Sequence, residues 1–297
     1  MPYRTLFMGT PEFAVPILQA LLAVPELYTI VGIVTQPDQM AGRGQHLRAP
    51  PIKTLASSSN LRVLQPVSLK HPNVQEAVAR LEPELVVVAA YGKILPPALL
   101  DLPRFGCINV HASLLPAFRG ASPITQAILH GEPITGVTIM HMDEGCDTGP
   151  TYTSASMPID DEDTCATLTA KLSICGAQLL IKTLPQIVLS ALKPTPQNHL
   201  AASFAPRLQK GDGHLNFQHP SDALERRIRA CIPWPGAFVF SPKGRVLIEK
   251  AMCGDAPSTS PGRVLSVTDE TVWIGCGVGT LGLQQVRPEG KKSMSAA

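Results

Sequence analysis

The run Leu85-Val86-Val87-Val88 constrains the fold of this chain more than any other stretch. Consecutive apolar residues without alternation suit a strand covered on both faces, the environment of a central parallel strand. Parallel neighbours need long crossover connections, usually helical. The surrounding sequence supplies them: short apolar runs at 5–8, 30–35 and 107–110 alternate with helix-like stretches such as 13–22 and 74–81. This order predicts right-handed βαβ units and an α/β, Rossmann-like, doubly wound and mostly parallel sheet. Two further strands are expected at 135–142 and 151–157. After the acidic residues Asp160, Asp161, Glu162 and Asp163 a long helix is expected over 164–192, kinked or interrupted at Pro185.

The texture then changes. Lys193-Pro194-Thr195-Pro196-Gln197-Asn198 breaks the pattern, and 193–206 reads as a linker between a domain at 1–192 and a second at 207–297. The second holds a helix at 221–231 and short apolar runs at 237–240, 246–250, 263–267, 272–274 and 281–286. Such spacing with Gly/Pro turns predicts a small, OB-like β-barrel. The length of 297 residues accommodates two domains, and the 44% hydrophobic content suits buried cores.

Charge is divided unevenly. Up to residue 205 there are 13 Lys/Arg against 15 Asp/Glu, and beyond it 12 against 8, so balances of −2 and +4 make up the net +2. A basic tail domain on a slightly acidic body hints at a polyanionic partner. Seven scattered cysteines, with no CxxC pair, argue against a disulfide framework and a zinc ribbon. No apolar run approaches the roughly 18–20 residues that span a bilayer, and the start lacks a signal peptide's apolar region. A cytoplasmic protein without a membrane partner is expected.

The chemistry concentrates in Gly106-Cys107-Ile108-Asn109-Val110-His111-Ala112-Ser113-Leu114-Leu115-Pro116. Alternate residues of a strand share a face, so Asn109 and His111 project to one side. They lie at the strand's C-terminal end, where parallel sheets place ligands. A third polar group, Asp147, sits in the turn Gly145-Cys146-Asp147-Thr148-Gly149; taken alone it reads as a turn residue. Gly42-Arg43-Gly44 marks a basic excursion after a strand.

These residues resemble the 10-formyltetrahydrofolate formyltransferases. The resemblance rests on Asn109-Val110-His111 with Ser113-Leu114-Leu115-Pro116, Arg119-Gly120-Ala121-Ser122-Pro123-Ile124, Gly136-Val137-Thr138-Ile139-Met140 and Asp147-Thr148-Gly149. Phe7-Met8-Gly9-Thr10-Pro11-Glu12-Phe13, the Arg43 loop, Pro233-Trp234-Pro235 and Gly290-Lys291-Lys292 are similar to the branch that acts on methionyl-tRNA. It implies a catalytic domain at 1–192, with formyl transfer from 10-formyltetrahydrofolate to the amino group of initiator methionyl-tRNA, and release of tetrahydrofolate. It further implies an Asn109–His111–Asp147 catalytic set without a metal. Asn109 would donate to a developing oxyanion, His111 would act as imidazolium and proton carrier, and Asp147 would favour the charged ring. Ser113, Leu114, Leu115 and Pro116 would bind the folate. Arg43 would bind tRNA, and the domain at 207–297 would track its phosphates, with Arg226, Arg227 and Arg229 and, nearby in sequence, Arg207, Lys210, Lys243 and Lys250 as the candidate cations. A monomer is expected. Two departures stand out: Ala117 replaces a basic residue common in the family, and the chain stops soon after Lys291-Lys292, where relatives continue.

Rival acceptors remain open: glycinamide ribotide, an amino sugar, or water in a deformylase. Glu12 in the first-strand turn disfavours the small phosphate of glycinamide ribotide. A non-catalytic RNA-binding protein on the same scaffold is a reading from another class, against which Asn109, His111 and Asp147 argue. A dehydrogenase is disfavoured, since no G-x-G-x-x-G follows the first strand.

Overall fold

A computed structural model of the chain describes residues 1–41, 46–254, 256–257 and 260–297. Seven strands make one sheet: β1 (Tyr3–Gly9), β2 (Tyr28–Val34), β3 (Val63–Leu64), β4 (Leu85–Ala89), β5 (Cys107–His111), β6 (Ile134–His141) and β7 (Thr151–Pro158). Their spatial order is β7-β6-β5-β4-β1-β2-β3. β1 pairs in parallel with β2 and β4, β2 with β3, and β4 with β5, whereas β6 runs antiparallel to β5. The doubly wound, mostly parallel sheet expected from the sequence is therefore present.

Burial follows the pattern that predicted it. Every residue of β4 and β5 is buried, while β7 at the sheet edge has none that is. The helix Ala14–Leu22 buries Ala14, Ile17, Leu18 and Leu21, the spacing of a single helical face. Leu6, Met8, Val34, Val86, Val88 and Leu81 form part of one core cluster, where each apolar side chain removed from water contributes about 1.5–3 kcal/mol. Tyr91 belongs to the same cluster, and burial pushes its phenol up to about 12.

The helix Cys165–Val188 departs from expectation at both ends. Its cap is Thr164, whose hydroxyl accepts from the Thr167 amide at 3.2 Å, and no acidic residue occupies its first turn. Asp163 instead accepts from the Thr167 hydroxyl at 2.8 Å. Pro185 lies inside the helix without ending it. Three residues from the end, its missing N–H removes only one late bond.

Two compact units emerge. The first comprises Met1–Pro123, Thr135–Met157 and Thr169–Ala205, and the second Ile124–Ile134, Pro158–Leu168 and Pro206–Ala297. In the second, β8 (Ala237–Ser241), β9 (Gly244–Gly254), β10 (Val264–Val267), β11 (Val272–Gly275), β12 (Thr280–Pro288) and β13 (Met294–Ser295) are antiparallel, in the order β8-β9-β12-β11-β10, with β13 also on β12. The sequence predicts a barrel; among the described residues no pair closes this sheet. The reason lies at its edges. Leu215 N–H donates to the Phe238 carbonyl at 2.9 Å, so loop residues satisfy the outer side of β8, and β10 is exposed along its length. The helix Ser221–Ala230 buries Leu224 and Ile228 in the cluster formed with Ala237, Ile248, Leu281 and Leu283. The cysteines are free thiols, and burial followed by the Asp101 charge pushes Cys107 up to about 12. No helix among the described residues is long and apolar enough to cross a membrane.

The fit between β6 and β7 leaves no space at Gly136. A Cβ there would stand 2.1 Å from the Ala155 carbonyl oxygen and 2.6 Å from Leu114 Cδ2. Gly136→Ala is predicted to destabilise the first unit by roughly 1–3 kcal/mol, the usual cost of overpacking. Thermal unfolding followed by circular dichroism checks this, and an unchanged midpoint would contradict the close approach.

Candidate active site

β5 does two things at once. Its even-numbered side chains join the sheet interior, and its odd-numbered Asn109 and His111 reach the C-terminal end, each less than a tenth exposed. Register places Asn109 between Val88 of β4 and Met140 of β6, and His111 beside Thr138. The two polar residues thus stand where the sheet turns from parallel to antiparallel.

Asp147 comes to them from the loop between β6 and β7. Its φ of +54° is in the left-handed region, which Asp tolerates better than most residues. One carboxylate oxygen, Oδ1, accepts from Asn109 Nδ2 at 3.3 Å and lies 3.6 Å from His111 Nδ1. The other, Oδ2, accepts from the Gly120 amide at 2.9 Å. His111 Nε2 lies 3.0 Å from the Phe118 carbonyl oxygen, which can only accept. One ring nitrogen thus faces the Phe118 carbonyl, while the other stands beside the Asp147 carboxylate just beyond hydrogen-bonding distance. Asn109 spends one amide N–H on Asp147, and among the described residues its second has no hydrogen-bond partner.

The segment following β5 is pinned rather than loose. The Ser113 hydroxyl donates to the Ala117 carbonyl at 2.6 Å, and the Thr138 hydroxyl donates to the Ser113 carbonyl at 2.7 Å while accepting from Leu115 N–H at 3.1 Å. Ser113 is fully buried, so its hydroxyl serves the loop and not a ligand. Leu114, Leu115 and Pro116 are half-buried and present apolar surface, with a cis bond between Leu115 and Pro116. Phe118, at φ +58°, takes a conformation rare for a bulky residue and holds its carbonyl toward His111. Ser203 Oγ accepts from Phe118 N–H at 2.9 Å.

Sequence reasoning missed the supports of Asp147. Gln197, read as linker, is buried, and its amide donates to the carbonyls of Asp147 at 2.9 Å and Gly149 at 2.6 Å. Arg119, seen only as part of a motif, is 3% exposed and donates to Gln197 Oε1 through Nε and Nη2 at 3.1 and 2.7 Å. A lone Gln among prolines carries no signal of burial; the Arg-Gly dipeptide at 119–120 was the only available clue. Arg43 lies outside the described residues. The strands on either side of it, Gln39–Ala41 and His46–Arg48, pair antiparallel, and Asp38 before them accepts from Lys53 at 2.6 Å and Gln65 at 2.7 Å.

In the second unit the arginines of the helix Ser221–Ala230 are not a free basic face. Arg226 pairs with Asp222 at 2.9 Å, Arg227 donates to the Asp212 carbonyl at 2.9 Å, and Arg229 bonds Glu225 at 2.6 Å and the Asp163 carbonyl at 2.8 Å. Helical spacing placed these cations away from Leu224 and Ile228 correctly but could not show that neighbours use them. Arg207, Lys210, Lys243 and Lys250 are exposed.

A buried amide, an imidazole and a carboxylate sharing one oxygen form a place where charge on a carbonyl oxygen can be stabilised and protons moved. Models of known families match the same regions: "Formyl transferase" over residues 3–184 and "Formyl transferase, C-terminal domain" over 207–297. The chain belongs to the formyl transferase family. Methionyl-tRNA formyltransferase from Myxococcus xanthus is 46% identical over 294 residues, covering 99% of this chain and 93% of that one. The protein of the same name from Geobacillus thermodenitrificans is 43% identical over 297 residues, covering 98% of this chain and 92% of that one. Among solved structures, the N-formyltransferase from Helicobacter canadensis, in complex with folinic acid and dTDP-3-aminofucose, matches with a TM-score of 0.71 at 20% identity, covering 95% of this chain and 99% of that one. HypX from Aquifex aeolicus in complex with tetrahydrofolic acid matches with a TM-score of 0.65 at 19% identity over 100% of this chain, which spans 46% of HypX. These two likenesses speak to the fold.

Cys146 offers a probe of the carboxylate beside it. Its thiol contacts Asp147 Oδ2 at 3.7 Å, and burial first and the Asp147 charge next push it above the ordinary thiol range. At pH 8 less thiolate is present than on free cysteine, so iodoacetamide should alkylate Cys146 more slowly. Peptide mapping by mass spectrometry reads the rate. Asp147→Asn should speed the reaction, and equal rates in both proteins would argue against the contact.

Proposed function

We propose that this chain transfers the formyl group of 10-formyltetrahydrofolate to the α-amino group of initiator methionyl-tRNA. The reading is carried by the meeting of Asn109, His111 and Asp147 in a chain similar over nearly its whole length to proteins named methionyl-tRNA formyltransferase. The donor set fits the folate substrate: an amide N–H without a protein partner among the described residues and an imidazole beside it suit a formyl oxygen. When bound, 10-formyltetrahydrofolate supplies a formyl carbon on a nitrogen leaving group.

The protein's part is electrostatic and acid–base. Asn109 donates its second N–H to the formyl oxygen as negative charge builds there. His111 places positive charge at the same point and carries protons released by the acceptor amine. Asp147 favours the charged ring and keeps the Asn109 amide facing one way. Leu114, Leu115 and Pro116 offer apolar surface to the folate, and Ser113 shapes that segment from behind.

For the acceptor, we assign tRNA binding to the domain at 207–297 together with Arg43. Arg207, Lys210, Lys243 and Lys250 are the exposed candidates for phosphate contact, whereas Arg226, Arg227 and Arg229 are engaged within their own unit. We place the protein in the cytoplasm, with its substrate, and working as a monomer.

The deciding experiment offers the purified protein 10-formyltetrahydrofolate with methionyl-tRNA, glycinamide ribotide, a nucleotide-linked amino sugar or no acceptor, and follows formyl incorporation. Methionyl-tRNA should be the preferred acceptor; preference for the amino sugar would overturn the reading. His111→Ala is predicted to slow transfer on the order of 10²–10⁴-fold while tRNA affinity is kept. Wild-type turnover in that variant would remove His111 from the chemistry. Binding of tRNA should weaken steeply between low and high salt as phosphate contacts release counterions, and a flat response would remove the basic surface from the model.

A further inference from the structure

We propose that Arg119 and Gln197 form a buried bracket that positions Asp147 for formyl transfer. The proposal rests on the functional reading above and adds two positioning residues to it. Gln197 uses all of its amide: Oε1 accepts twice from Arg119, and Nε2 donates to the carbonyls of Asp147 and Gly149. Those two carbonyls flank Thr148, so a single side chain clamps both sides of the turn that carries the carboxylate. Asp147 needs such a clamp because its left-handed φ of +54° is not a conformation that a free turn holds uniquely.

Arg119 closes the bracket from the opposite side. Its third donor, Nη1, lies 3.2 Å from His199 Nδ1, which must accept because a guanidinium has no lone pair to offer. Among the described residues it has no carboxylate in ion-pair range, although it is almost wholly buried. Filling space alone would favour an apolar side chain there, since a buried guanidinium is costly. The next residue explains the choice. Gly120 N–H donates to Asp147 Oδ2 at 2.9 Å, so the strand that carries the guanidinium also carries a donor to the carboxylate. This short strand, Arg119–Gly120, pairs in parallel with Phe204–Ala205, and at Gly120 a Cβ would lie 2.7 Å from the Ala205 carbonyl oxygen. Backbone and side chain of 119–120 thus hold one residue from two directions: Gly120 N–H on the Asp147 carboxylate, and Arg119, through Gln197, on the Asp147 backbone carbonyl.

The bracket touches no reacting atom, so its loss should alter turnover and not binding. The test uses the full chain with Gln197→Met, which keeps length and removes all four hydrogen bonds, alone and combined with Asp147→Asn. Turnover of methionyl-tRNA should fall about 10–100-fold, as expected for a misplaced group. KM for either substrate should change by less than about threefold. In the Asp147→Asn background the same substitution should cost under about twofold, because the group it positions is already lost. The Gly120 amide signal in NMR spectra should move upfield as its bond to the carboxylate weakens. Wild-type turnover, losses that multiply in the double variant, or an unmoved Gly120 signal would each overturn the bracket. If Gln197→Met does not fold, Arg119→Lys, which keeps the charge and loses the fork, is read by the same measurements. A wild-type protein inactive on methionyl-tRNA would overturn the functional reading alone, leaving the Gly120 signal to decide the bracket.

Discussion

The Asp147 carboxylate is the point on which separate segments of the first unit converge. Its Oδ1 serves an amide and an imidazole from one strand, and its Oδ2 takes a backbone N–H from a second segment. A carboxylate so placed orders its neighbours in turn. It fixes which way the Asn109 amide points, because the carbonyl end would be repelled, and it flanks the side of the His111 ring opposite Phe118. The sheet supplies rigidity beneath: β5 is held between a parallel and an antiparallel neighbour, so neither Asn109 nor His111 can shift without breaking a ladder.

The fold was legible where burial was uniform or strictly periodic. The run 85–88 marked β4, and the interval from Asn109 to His111 marked a shared face, because a strand's side chains alternate whatever surrounds them. The helix Ala14–Leu22 followed from its apolar spacing for the same reason. What stayed hidden depends on long-range partners. Gln197 sits among prolines and looks like linker; only the folded chain shows its amide between two carbonyls 48 and 50 residues away. The antiparallel strands of the second unit were legible too, but not whether they close, because strand spacing tells how many strands exist and not what covers their edges, and at β8 a loop does so.

Charge tells a similar story in the second unit. The excess of Lys and Arg beyond residue 205 is real, yet a count cannot say which cations face water. The helix Ser221–Ala230 offers three arginines that look available in sequence and are bound to Asp222, Asp212, Glu225 and Asp163 in the fold. Ion pairs still in reach of water, such as Arg226–Asp222, add little stability, whereas Arg227 and Arg229 reach backbone carbonyls and so help to tie the helix to its surroundings.

The parallel pairing of Arg119–Gly120 with Phe204–Ala205 has a consequence for the modularity of the chain. The stretch that joins the two texturally distinct halves of the sequence is a working piece of the first half. It supplies Gln197 to the Asp147 turn, Ser203 to Phe118, and an edge for the strand beside the carboxylate. A fragment cut at residue 192 would forfeit all three, and a chimera that exchanged tail domains would have to carry the native chain through Ala205 to inherit an intact first unit.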